Sequence, residues 1–185
     1  LGGGSSDAAH TALALNELFH LGLTKPQLAA LVRPLGADCP FFIYNTPCYA
    51  EGIGDILTPI SLSLNGLHLV LIKPDIAVST REAYSGITLH PEATGEIHRA
   101  LQTTHDINRL FPLLINDFEQ TVFPLHPQLA DIKQSLIHAG ALYASMSGSG
   151  STIFALFDDN VPANAISRSV VNTISPAPFI YDCMC

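Results

Sequence analysis

Three consecutive glycines, Gly2-Gly3-Gly4, run directly into Ser5-Ser6-Asp7 and then into an Ala/Leu-rich stretch ending near Phe19. Glycine tolerates positive φ and lets the backbone approach a ligand closely. The stretch that follows has apolar residues at 8, 12, 15 and 19, which is helical spacing. The chain is therefore expected to form a loop that opens onto a helix N-terminus. The first N–H groups of such a helix lack intrahelical partners, and its dipole favours an anion there. Gly2, Gly3, Gly4, Ser5 and Ser6 are thus candidate phosphate-binding residues, with the two hydroxyls available to a β/γ-phosphate oxygen or to Mg²⁺. A carboxylate at Asp7 would repel phosphate, so it is expected to face away or to favour the helix N-terminus. No lysine follows Gly4, so this is not the P-loop NTPase motif. A flexible loop with a Ser or Asp cap would use the same residues, and the local chemistry leaves both readings open.

Gly22 reads as the C-cap of this first helix. Thr24-Lys25-Pro26 starts another over about 25–33, with Pro in its first turn. Leu35-Gly36-Ala37-Asp38-Cys39-Pro40 follows, and the apolar 41–44 stretch after it reads as a strand. Asp38 could stand at a pocket mouth and take the proton of a substrate hydroxyl. It could equally cap a turn before Pro40. Residues 41–60 look extended, and a break at 61–66 is the expected domain boundary, dividing 1–63 from 64–185.

The second part reads as strand, helices, two strands, helix, strand. Strands are expected at 68–73, 141–146, 151–157 and 178–183. Helices are expected at 80–85, 93–102, 106–122, 127–138 and 162–173. That order suggests a split β-α-β sandwich of ferredoxin type, hence an α+β chain. Ser147-Gly148-Ser149-Gly150 lies between two strands. It is either a plain hairpin turn or a second Gly-rich loop closing over phosphates. Ser79 or Thr80 looks like an N-cap. Thr80 could touch a substrate hydroxyl, and Tyr84, one turn on, could stack on a base. Asn116-Asp117-Phe118-Glu119 reads as a cap with a first-turn acid, a structural role.

Composition narrows the partners. Hydrophobic residues are 48% of the 185, enough for a core, while charged residues are only 13%. Such a low charged share suggests that part of the surface is covered by something else. The net charge is −8, and the eight Lys and Arg are scattered. Nucleic-acid binding needs clustered cations, so it is not expected. The histidines form no metal-binding spacing, and Cys183 and Cys185 are one residue too close for a zinc C-x-x-C. The four cysteines read as reduced thiols, which favours a cytoplasmic setting. No apolar run approaches the roughly 18 residues of a membrane helix.

Taken together, the Leu1–Ala9 glycine motif, Leu35-Gly36-Ala37-Asp38-Cys39-Pro40-Phe41-Phe42 and Ser147-Gly148-Ser149-Gly150-Ser151 resemble the galactokinase–homoserine kinase–mevalonate kinase–phosphomevalonate kinase superfamily. The middle motif, Gly52-Ile53-Gly54-Asp55, Ser79-Thr80 and Asn116–Glu119 are most similar to its branch that acts in non-mevalonate isoprenoid synthesis. The resemblance covers essentially the whole chain. It implies a two-domain kinase, with part of an α/β ATP-binding domain followed by a ferredoxin-like domain. It implies ATP with Mg²⁺, and as substrate a cytidine-diphosphate-linked methylerythritol phosphorylated on its 2-hydroxyl. Asp38 matches the family's catalytic Asp, Gly2 to Ser6 its phosphate loop, and Thr80 and Tyr84 positions near the substrate. Another kinase of the superfamily acting on a different small alcohol, or a non-catalytic nucleotide-binding module, would share these motifs. The family's first strands, its catalytic lysine and the leading Pro-x-Gly-x-Gly would precede Leu1, so the chain is expected to be the C-terminal part of a longer enzyme with little activity alone. His10 stands where the family has a small residue and is expected to crowd helix packing.

Overall fold

Gly2 adopts a left-handed conformation, φ 66° and ψ 28°, immediately before helix α1 (Gly3–Leu18). Only glycine holds that conformation at low cost, so the loop-to-helix junction rests on this residue. The computed structural model describes residues 1–88, 91–104, 106–158 and 179–184. It divides into two compact units, Leu1–Leu62 and Ser63–Cys185.

In the first unit, α1 is followed by α2 (Lys25–Val32), a 3-10 turn (Arg33–Leu35), α3 (Cys39–Tyr44), and a hairpin of β1 (Cys48–Glu51) and β2 (Ile56–Pro59). α1 ends at Leu18, before Gly22. Asn16 accounts for the early stop: its amide donates to the Leu23 carbonyl (3.1 Å) and accepts from the Leu23 N–H (2.9 Å), folding the connection back on the helix. α2 opens as its sequence predicts, with Pro26 in the first turn and the Thr24 N–H donating to Gln27 Oε1 (2.9 Å).

The expected strand at 41–44 is instead the short helix α3. Pro40 suits a first helical turn, where its missing N–H costs nothing. Cys39, Pro40 and Ile43 are buried, one helical turn from 39 to 43, and Asn45 at φ 49° stops the helix. Burial of those side chains, at about 1.5–3 kcal/mol for one like Ile, outweighs the β-leaning Phe-Phe-Ile-Tyr composition. The core of this unit is Ala9 of α1, Leu28, Ala29 and Val32 of α2, and Cys39 and Ile43 of α3.

The second unit has a four-stranded antiparallel sheet of β3 (Leu67–Lys73), β4 (Tyr143–Met146), β5 (Ile153–Asp158) and β6 (Phe179–Met184), in the order β4-β5-β3-β6. Between β3 and β4 come α4 (Thr80–Tyr84), α5 (Pro91–Thr103), α6 (Ile107–Leu110), a 3-10 turn (Phe111–Leu113), α7 (Glu119–Leu125) and α8 (Pro127–His138). The first and third strands of this unit pair at the sheet centre and the second and fourth lie at its edges, which is the ferredoxin-like order. Val70 and Ile72, Ala144 and Met146, and Ile153, Ala155 and Phe157 alternate along their strands. They face Leu129, Ile132 and Leu136 of α8, with Ala83 and Val122.

The single helix expected over 106–122 is two helices. Pro112 sits in the 3-10 turn and Leu114 is extended (φ −83°, ψ 96°), which breaks the run. Asn116 Oδ1 then accepts the Phe118 N–H (3.0 Å), starting a new turn before α7. The helix expected at 162–173 lies outside the described residues.

Candidate functional site

Asp38 is the candidate proton acceptor of the first unit. It occupies the N-cap position of α3, yet its side chain makes no capping hydrogen bond. The carboxylate is therefore not consumed by the local role that the sequence also allowed. It lies where two glycines leave room. A β-carbon on Gly2 would stand 4.0 Å from Asp38 Oδ2, and one on Gly54 would stand 3.8 Å from Oδ1. Both glycines have positive φ, 66° and 95°. The carboxylate is thus beside the residue that launches α1, exposed and without a hydrogen-bond partner among the described residues.

The mouth of α1 is open in the same way. β-Carbons on Gly3 or Gly4 would meet nothing within 4 Å, whereas one on Gly2 would press on the Phe42 ring at 3.3 Å. Gly3 and Gly4 therefore face free space, where an anion could reach their N–H groups. The first hydrogen bond of the helix is Ser6 N–H to the Gly2 carbonyl (2.9 Å), so the N–H groups at 3, 4 and 5 precede the ladder. Ser5 Oγ lies 3.5 Å from where a Gly36 β-carbon would stand, which brings the Ser5 hydroxyl to the Gly36-Ala37-Asp38 turn. The three sequence motifs of this unit, at Gly2–Ser6, Gly36–Asp38 and Gly52–Asp55, thus converge on one place.

His10 does not crowd the packing. Its ring is exposed, with Nδ1 2.8 Å from the Ser6 carbonyl and 3.3 Å from the Ser6 hydroxyl, one turn back on α1. A pairing that the sequence does not announce completes the surroundings. Arg33 and Asp55 form an ion pair in which the Asp55 side chain is only 6% exposed and the Arg33 side chain is 60% exposed. The pair ties the β1–β2 turn, and with it Gly54, to the end of α2. An Arg at a helix end and an Asp in a Gly-rich turn, 22 residues apart, carry no local signal of their pairing.

In the second unit, Thr80 is the first residue of α4 and Tyr84 the last. Ser79 is the N-cap, its Oγ accepting the Glu82 N–H (3.1 Å), which leaves the exposed Thr80 hydroxyl unused by capping. Tyr84 is 60% exposed and rests edge-on against Phe118, with ring centroids 4.8 Å apart. The exposed part of the ring leaves room for a planar partner. The Asn116–Glu119 motif does more than cap. Asn116 Nδ2 donates to the carbonyls of Met146 (2.7 Å) and Gly148 (2.9 Å). Glu119 Oε1 accepts from the Met146 N–H (2.8 Å) and the Ser145 hydroxyl (3.1 Å), and its Oε2 takes Lys133 Nζ at 2.5 Å. The spacing alone predicted a helix cap, because the carbonyls that Asn116 reaches lie some 30 residues further on.

Among the described residues no group of three or more His, Cys, Asp or Glu is arranged to hold a metal ion. No helix among them is long and apolar enough to cross a membrane.

Residues 1–46 match the GHMP kinases N terminal domain, and residues 95–174 match the GHMP kinases C terminal domain. The 4-diphosphocytidyl-2-C-methyl-D-erythritol kinase of Bacteroides thetaiotaomicron is 52% identical over 159 residues, covering 85% of this chain and 57% of that protein. The enzyme of the same name from Geobacter metallireducens is 41% identical over 174 residues, covering 94% of this chain and 60% of its own length. The chain thus spans somewhat over half the length of these relatives. A crystal structure of 4-(cytidine 5'-diphospho)-2C-methyl-D-erythritol kinase superposes with a TM-score of 0.72 at 31% identity, over 98% of this chain and 64% of that one. A homoserine kinase from Cytophaga hutchinsonii shares the fold at 18% identity and a TM-score of 0.68. With both family domains matched in order, and the glycine loop, the Asp38 turn and the ferredoxin-like sheet in the structure, the chain belongs to the GHMP kinases.

Proposed function

We propose that the protein containing this chain transfers the γ-phosphoryl group of ATP to the 2-hydroxyl of 4-diphosphocytidyl-2-C-methyl-D-erythritol, a step of non-mevalonate isoprenoid synthesis in the cytoplasm. The observation that carries the proposal is the Asp38 carboxylate, unbonded and beside Gly2 at the mouth of α1. Support for this substrate comes from the relatives bearing that enzyme's name at 41–52% identity.

In this reading the N–H groups at the start of α1 hold phosphate oxygens, aided by the helix dipole. The Ser5 hydroxyl adds a donor from the side of the Asp38 turn. Asp38 accepts the proton of the 2-hydroxyl as that oxygen bonds to the γ-phosphorus. The bond from the γ-phosphorus to the bridging oxygen breaks, and ADP leaves with the electron pair. Phosphoryl transfer of this kind relies on positioning and charge stabilisation more than on covalent chemistry. Magnesium suits a site with few protein ligands, because it binds through phosphate oxygens and keeps several waters. The Ser5 and Ser6 hydroxyls are the residues that would reach it, and the ion would neutralise phosphate charge. Thr80 contacts a substrate hydroxyl, and the exposed part of the Tyr84 ring stacks on cytosine.

The test is a phosphotransfer assay on the full-length protein with ATP·Mg²⁺ and the cytidyl substrate, run beside mevalonate and homoserine. Turnover confined to the cytidyl substrate is expected. Turnover with mevalonate or homoserine alone would transfer the assignment to another member of the family. Tight ATP binding with no turnover on any of the three would leave a binding module.

A further inference from the structure

The loop at 147–150 has an uneven account of hydrogen bonds. The three carbonyls at its start are taken: Met146 O and Gly148 O by Asn116 Nδ2, and Ser147 O by the Gly150 N–H (3.0 Å). Of its N–H groups, Ser147 donates to Thr152 O (2.8 Å) and Gly150 to Ser147 O. The N–H groups of Gly148 and Ser149 have no partner among the described residues. A loop whose first carbonyls are tied down while two consecutive N–H groups beside them are free has the polarity of an anion-binding nest.

Asn116 produces this asymmetry. One side-chain nitrogen bridges two carbonyls on either side of Ser147, and the other end of the amide is fixed by the Phe118 N–H (3.0 Å). The amide is thereby oriented with its donors toward the loop. Glu119 holds the same strand end through the Met146 N–H, and is itself fixed by Lys133. Segment 116–119 therefore grips both the N–H and the carbonyl of Met146, the residue from which the loop departs. Gly148, at φ 55°, bends the chain there.

We propose that Asn116 is a positioning residue for phosphoryl transfer. By holding the Met146 and Gly148 carbonyls it leaves the N–H groups of Gly148 and Ser149 to meet a phosphate oxygen. This rests on the kinase reading above and names a residue to which that reading assigned no part. Two phosphate-bearing molecules could supply the oxygen, the nucleotide donor and the diphosphate of the acceptor.

The experiment compares wild type with Asn116→Asp in the full-length protein. The substitution keeps the shape and replaces the donor to two carbonyls with an oxygen that repels them. KM for ATP and for the cytidyl acceptor are measured separately. A rise of about tenfold or more in one KM, with the other nearly unchanged, is expected and identifies which phosphate the loop meets. A fall in kcat with both KM values unchanged, or an equal rise in both, is what loss of folded protein or general distortion would give, and overturns the proposal. Wild-type amide resonances supply a second measurement if the variant does not fold. The Gly148 and Ser149 N–H signals should move on titration with the magnesium complex of a non-hydrolysable ATP analogue or with the acceptor. No movement with either one overturns the role of Asn116, whereas absent wild-type turnover bears on the kinase reading alone.

Discussion

The carboxylate of Asp38 lies 4.0 Å from the point where a β-carbon on Gly2 would stand. A turn residue and the residue that launches a helix, 36 positions apart in sequence, therefore share one opening. Replacing Asp38 by Asn keeps the shape and removes the base. On the proposed mechanism kcat of the full-length enzyme should fall by about 10²–10⁴-fold, the usual contribution of a positioned acid or base. ATP affinity by calorimetry should change little. An unchanged kcat would remove Asp38 as proton acceptor.

Arg33→Ala should destabilise the first unit through Asp55. The Asp55 side chain is almost wholly buried, and its cation would be gone. Because Arg33 itself is largely solvent-exposed, screening limits the loss to about 1–2 kcal/mol, well below that for a buried pair. Urea unfolding reads this directly. Arg33→Lys should recover only part of it, since the guanidinium fork is lost.

Gly86 marks a close contact in the second unit. A β-carbon there would stand 3.1 Å from both Cγ2 and Oγ1 of Thr121 on α7. Gly86→Ala should cost about 1–3 kcal/mol, the range for overpacking. Adding Thr121→Ala should relieve most of the cost, a non-additivity that a double-mutant cycle measures. Simple additivity would show that the two residues do not meet.

Tyr143 sets an alkaline limit. Burial raises its pKa above the usual 10.0, the nearby Glu119 charge raises it further, and a Ser145 hydrogen bond opposes both. The phenol donates to the Leu114 carbonyl (2.9 Å). The native state therefore holds this proton more tightly than the unfolded chain does. Its contribution to stability is complete below pH 10 and is lost as pH rises through the folded-state pKa. Tyr143→Phe should flatten the decline in unfolding free energy above pH 10 and leave the slope at neutral pH unaltered.

Much of this was legible in the sequence because the signals are local. The glycine run, the Pro26 helix start, the Ser79 cap and the apolar runs of β3 and β5 each announce themselves within a few residues, and the strand and helix order yielded the ferredoxin-like unit. α3 was misread because Phe-Phe-Ile-Tyr favours strands, while burial of Cys39, Pro40 and Ile43 decided for a helix. The 106–122 run was misread by following its apolar residues past Pro112 and the Asn116 cap, the two local signals inside it that end one helix and start the next. Arg33–Asp55 and Asn116–Met146 are pairings across 22 and 30 residues. Periodicity and capping rules describe neighbours and say nothing about such partners.

β4 is an edge strand, and both outward backbone groups of Met146 are already spoken for, its N–H by Glu119 and its carbonyl by Asn116. A foreign strand that tried to zip alongside would find no free rung at that end. Losing either partner would therefore leave an open rung at that edge for a second strand to pair with.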